Sequence, residues 1–110
     1  MPDIPLIVLA VVFLGAGGSK LAGVPLIRAN FERWGLPDAA RLGIGAIEVV
    51  LAVLAVLALG DDGLARVVAV AALVVMAGAL ATHVRAKDEP KEYPPAVLVT
   101  VAAILVLATA

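Results

Sequence analysis

The chain has 110 residues, is 64% hydrophobic and carries a formal net charge of −1, with a mean hydropathy of +1.14. A soluble domain of this size lacks the interior to hide so much apolar surface, so the composition excludes an ordinary soluble globule and points to a lipid bilayer. The weak net charge excludes a basic field for nucleic acid, and the absence of cysteine excludes disulfides, thiol redox chemistry and thiolate metal sites.

A helix needs about 20 apolar residues to cross a hydrocarbon core of roughly 30 Å. The first such run covers residues 4–22. Asp3 precedes it and no Lys or Arg does, the reverse of a secretory signal, so it reads as a retained membrane helix. Gly15, Ser19 and Gly23 recur at every fourth position, a pattern that lets membrane helices approach closely. Gly43, Gly45 and Gly78 suit the same role, and so smooth a face equally leaves room for a ligand. Gly15-Ala16-Gly17-Gly18-Ser19-Lys20 looks like a phosphate loop, but it ends in Ser-Lys and no strand precedes it.

Residues 25–34 have a different pattern. Pro25 suits the first position of a helix and Gly35 the position just past its end. Ile27, Phe31 and Trp34 fall at i, i+4 and i+7, while Arg28, Glu32 and Arg33 lie mostly elsewhere. This predicts a short interfacial helix with Trp34 as an anchor at headgroup depth. A plain amphipathic connector and a lid over a site both remain open.

The second run, 39–59, is interrupted only by Glu48. Gly60-Asp61-Asp62-Gly63 forms a tight turn, so a third run over 64–84 is expected antiparallel beside the second. Arg66 and His83 sit near its two ends. A mixed-charge loop over 85–94 follows, with Tyr93 as a second interfacial anchor and Pro94-Pro95 opening the next helix. The last run, 95–110, reaches roughly 24 Å, so it stands near-upright or ends within the interface. Lipid satisfies no backbone group, so helices are the only sensible form. The expected fold is all-α: a single membrane domain, residues 1–110, built as a four-transmembrane-helix bundle with an interfacial helix between the first and second spans.

Orientation follows from the cations. Arg28, Arg33, Arg41, Arg85, Lys87 and Lys91 lie in or beside the first and third loops, with Lys20 at the same end, and only Arg66 is opposite. The positive-inside rule places loops 23–38 and 85–94 in the cytoplasm and both termini outside, in a multi-pass protein of the cytoplasmic membrane.

This threading gathers Lys20, Glu48 and His83 in one half of the bilayer, with Glu48 roughly 15 Å below the start of its helix. Arg41 lies two turns before Glu48 on the same face, and Ser19, Thr82 and Arg85 are within reach of the group. An ionisable residue inside a membrane is a functional candidate whose partner has to be named. Lys20 is the first partner for Glu48 and Arg41 the next. The cluster Lys20, Glu48, His83 and Arg41 has two readings: a polar ligand or proton site, or a neutralised pair that pins helices together. With one His and no Cys, no metal site is expected, and haem would need a second His from a partner. No acidic residue obviously orients His83, so no nucleophile–base–orienter set is apparent and autonomous catalysis is not expected.

Three stretches in order, Gly17-Gly18-Ser19-Lys20-Leu21-Ala22-Gly23, Phe31-Glu32-Arg33-Trp34-Gly35-Leu36-Pro37 and Gly43-Ile44-Gly45-Ala46-Ile47-Glu48, resemble the DoxX and DoxX-like membrane proteins. In that family a Gly/Lys element closes the first helix, a Trp-Gly-Leu-Pro-like element precedes the second, and Gly-x-x-Glu-type residues lie within it. The second half is similar only in having two apolar helices with a polar end. The resemblance implies a small four-helix protein of the cytoplasmic membrane. Some relatives are named as subunits of a thiosulfate:quinone oxidoreductase and others as members of oxidoreductase-associated complexes. By position, Lys20 and Glu48 are the family-like polar pair, and Trp34 and Pro37 the entry element. Two functions stay open. One is an accessory or scaffold subunit of a membrane oxidoreductase complex, with a membrane protein partner. The other is a self-contained transporter or binder of a polar or quinone-like small molecule at Lys20 and Glu48, working as a homo-oligomer. No intrinsic cofactor is expected, and a quinone is compatible with either function.

Overall fold

The computed structural model describes residues 2–110. It has five α-helices: α1 (Asp3–Ala22), α2 (Pro25–Trp34), α3 (Asp38–Leu57), α4 (Asp62–Arg85) and α5 (Pro94–Thr109), with a 3-10 turn at Pro90–Glu92. No strand occurs among the described residues. Three helices, α1, α3 and α4, are long and apolar enough to cross a membrane, whereas α5 is apolar but shorter, at 16 residues.

Local chemistry sets the helix ends. Pro25 and Pro94 occupy first positions, where no backbone donor is needed. Asp61 caps α4, its Oδ1 accepting from the Leu64 amide at 3.0 Å. Gly23 and Gly35 end α1 and α2 in the left-handed region, at φ 69° and 73°, which side chains other than glycine rarely adopt. Each glycine amide donates back into the helix it closes. These two stops set α2 at one end of the bundle, touching α1 and α3.

The other four helices form a ring in the order α1, α3, α4, α5, and the most extensive contact is between α1 and α3. The turn at Gly60 does bring α3 and α4 together, but their contact is much smaller. The core takes Leu6, Leu9 and Phe13 from α1, Leu51 and Ala55 from α3, Val68, Ala72 and Met76 from α4, and Val99 and Val106 from α5. Their spacing of three, four or seven residues keeps each set on one helix face. The outward faces are equally apolar, with Ile4, Val11, Val53, Val67, Val74 and Ile104 all exposed. A helix that is greasy on all sides suits lipid, where the outward face has nothing to gain from polar residues.

Candidate functional site

The site starts from two glycines on opposing helices. A β-carbon on Gly17 would stand 2.7 Å from the Gly45 carbonyl oxygen, and one on Gly45 would stand 2.9 Å from the Lys20 β-carbon. Because Gly45 has no side chain, the Lys20 stem passes over α3 at that point. Its ammonium reaches Glu48, one turn further along α3: Lys20 Nζ lies 2.7 Å from Glu48 Oε1. The Glu48 side chain is only 5% exposed, and Oε1 receives no well-aligned hydrogen bond.

The close approach corrects the expected packing stripe. Gly15 meets no atom that would obstruct a β-carbon, and neither do Gly43 and Gly78. Ser19 donates its hydroxyl to the Gly15 carbonyl of its own helix at 2.7 Å, and Gly23 serves as the α1 terminator. Of the expected glycines, Gly45 abuts the backbone of another helix and Gly23 abuts the Arg28 side chain of α2, while Gly17, which faces Gly45, lies outside the expected set. The reason is angular: two residues along a helix turn the face by about 200°, so Gly17 points away from Gly15 and Ser19.

Arg41 also departs from expectation. Its side chain is buried, but Nη1 donates to the backbone carbonyl of Lys20 and Nε lies 3.5 Å from the exposed Asp38. It is not a second partner for Glu48. Two helical turns separate the two residues by roughly 10 Å along the axis, whereas the carbonyl-rich end of α1 is nearer and attracts a cation.

A second cluster forms where α4 ends. Lys87 takes a left-handed conformation at φ 54°. The Asp88 amide donates to the His83 carbonyl at 3.0 Å and the Lys87 amide to the Val84 carbonyl at 3.1 Å. This paired closure folds the chain back over the last turn of the helix. It sets the Asp88 carboxylate beside His83, with Nδ1 to Oδ2 at 2.6 Å. The Trp34 indole N–H donates to the same oxygen at 3.0 Å, and an Arg33 guanidinium nitrogen is 3.0 Å from the other. The Asp88 side chain is 2% exposed. Burial pushes its pKa up, but hydrogen bonds from His83 and Trp34 and the charge of Arg33 outweigh that and hold it below the ordinary 3.8.

An acidic residue therefore does orient His83, contrary to the sequence reading. His83 and Asp88 are five residues apart, the separation that this closure brings together. The signal was hidden because Lys87 stands where glycine is usual.

Aromatic rings complete the cluster. Trp34 meets His83 edge-on at 5.5 Å and Phe31 at 5.1 Å, while Tyr93 lies 5.0 Å from His83 with its ring tilted. Trp34 and Tyr93, expected as interfacial anchors, thus both pack around the imidazole. Arg85 reaches the Trp34 carbonyl at 3.4 Å, and Thr82 donates to Gly78 of its own helix.

Beneath α2 lies a cleft of about 660 Å³, and both clusters open onto it. Its walls include Phe13, Phe31, Val75, Met76 and Val99, and its polar groups include Lys20, Glu48, Asn30, Trp34 and His83. Gly15 and Gly78 also line it, so the small residues that pack against no helix leave space for something else. The size falls in the range of small-molecule sites, which are mostly apolar with a few placed polar groups. No group of three or more metal-binding side chains occurs among the described residues.

These features define a helical membrane protein with a polar-tipped cleft at one end of its bundle. The model of the DoxX-like family matches residues 4–105, nearly the whole chain, and the chain belongs to that family. No curated protein and no solved structure matches it.

Proposed function

We propose that this DoxX-like protein binds a quinone-like small molecule in the cleft beneath α2, and that it serves a membrane oxidoreductase as an accessory subunit. On this reading α5 is the fourth span and α2 lies in the interface. Loops 23–38 and 85–94 face the cytoplasm of a cytoplasmic membrane, as the distribution of Lys and Arg favours.

One observation carries the reading. All the aromatic residues, two Phe, one Trp and one Tyr, lie in the cleft wall or in the ring stack beside it. An apolar cavity with aromatic walls and a few buried polar groups suits a flat ring bearing oxygen atoms. Lys20 has N–H groups beyond its contact with Glu48 that such an oxygen can accept. The accessory role is supported by membership of the DoxX-like family, some of whose members are named as oxidoreductase subunits.

Trp34 is the sole tryptophan and lines the cleft, so it is an internal reporter. The protein in lipid nanodiscs is titrated with a decyl-substituted 1,4-benzoquinone while Trp34 emission is followed. Bound quinone is counted separately by extraction after gel filtration. The expected result is saturable quenching at one quinone per chain. Quenching that rises linearly with quinone and leaves none on the protein refutes the binding site. Purification from native membranes in mild detergent tests the partner, and a chain that emerges alone or only with copies of itself overturns the accessory role.

A further inference from the structure

We propose that His83 is a hydrogen-bonding pole of the cleft that selects a ligand hydroxyl, with Asp88 holding the imidazole in the tautomer that leaves Nε2 as an acceptor. The proposal rests on ligand binding in the cleft, and it ranks hydroquinones and other phenols above the quinone as ligands.

A neutral imidazole ring carries one N–H and one lone pair, and the hydrogen bond made by one nitrogen decides the state of the other. Nδ1 is 2.6 Å from an Asp88 oxygen. That same oxygen already accepts from Trp34, and Arg33 lies on the other. A carboxylate so surrounded by donors, with its pKa held down, stays ionised and can only accept. Nδ1 must therefore carry the proton. In the neutral ring Nε2 then has only a lone pair, and no described residue bonds to it. His83 lines the cleft, and the other hydroxyl groups there are engaged elsewhere: Ser19 and Thr82 donate to their own helices. An unpartnered acceptor on an apolar cavity selects a molecule that brings its own O–H.

The selection depends on pH. Once the imidazole is protonated, Nε2 also becomes a donor, and the same position takes a carbonyl oxygen instead. The charged and titratable groups around His83 are Asp88 and Arg33 across the ion pair, Tyr93 against its ring, Arg85 on its own helix, and Lys20, Glu48 and Glu92 on the cleft wall. The switch is therefore read from the His83 resonance itself.

His83 is the only histidine, so ¹⁵N-imidazole labelling gives a single pair of ring nitrogen resonances. Nanodisc samples are titrated with a decyl-1,4-benzohydroquinone under argon and, in parallel, with the corresponding quinone. The expected result is the Nδ1–H tautomer at neutral ring charge, with Nε2 shifting as the hydroquinone saturates. The hydroquinone-to-quinone preference should fall about fivefold in Asp88→Asn and in His83→Phe, the effect of one hydrogen bond. His83→Gln, which keeps a polar group near Nε2, should restore part of it, and acidification that protonates the ring should reverse the preference. An Nε2–H tautomer, or Trp34 quenching by bound hydroquinone with Nε2 unmoved, overturns the proposal and leaves the binding site standing. If neither probe binds, the binding site falls and this proposal falls with it.

Discussion

Gly17 and Gly45 meet backbone to backbone, so that a β-carbon on Gly17 would stand 2.7 Å from the Gly45 carbonyl oxygen and 2.9 Å from the Val49 amide nitrogen. These are main-chain atoms, and no rotamer change relieves the overlap. Gly17→Ala should push α1 from α3 and lower stability by about 1–3 kcal/mol, the range for overpacking. Gly15→Ala adds its methyl to open space and should be neutral or stabilise by up to about 1 kcal/mol, because alanine favours the helix. Unfolding by denaturing detergent, followed by circular dichroism, separates the two. Equal effects at both positions would contradict the contact.

The Lys20–Glu48 contact predicts strong non-additivity. Lys20→Met leaves a carboxylate that is 5% exposed without its cation, at a cost of about 3–5 kcal/mol. Lys20→Met combined with Glu48→Leu removes both charges and should recover most of that loss, since an apolar pair often replaces a buried ion pair without penalty. A double-mutant cycle measured in the same detergent gives the coupling. Additive losses would mean that each charge has its own separate partner.

Asp88 predicts an acid-sensitive attachment of α2. Its pKa is lowered from 3.8 in the folded chain, so the stability it contributes is fully present above 3.8 and is lost as pH falls through the folded value. Trp34, which donates to Asp88 at 3.0 Å, should keep its emission maximum from neutral pH down to that range and shift to the red below it. Asp88→Asn should abolish the transition. A red shift that persists unchanged in Asp88→Asn would instead assign the loosening of α2 to another group.

Filling the cleft distinguishes ligand binding from a purely structural role. Gly78 lines the cleft and a β-carbon there meets nothing within 4 Å. Gly78→Leu should leave folding within about 1 kcal/mol of the parent while its side chain occupies ligand space. Quinone retention after gel filtration should drop at least about tenfold, with the unfolding curve nearly unmoved. Undiminished retention in a folded variant would place the ligand elsewhere.

Much of this protein was legible from local patterns. Apolar runs, Pro25, Gly35 and the Asp61 turn act within a few residues of themselves, so they locate the helices from sequence alone. Lys20 and Glu48 were conspicuous because charge inside an apolar run is costly without a partner. Tertiary structure decided which small residues touch, because a two-residue step reverses the helix face and Gly17 rather than Gly15 looks toward α3. It also gave Arg41 to the end of α1 and Asp88 to His83. Those choices depend on where another helix ends and on a left-handed lysine, and neither leaves a periodic mark in the sequence. The cleft belongs to tertiary structure for the same reason: it lies where four helices and α2 fail to touch, and sequence patterns report contacts along one helix, not the gaps between several.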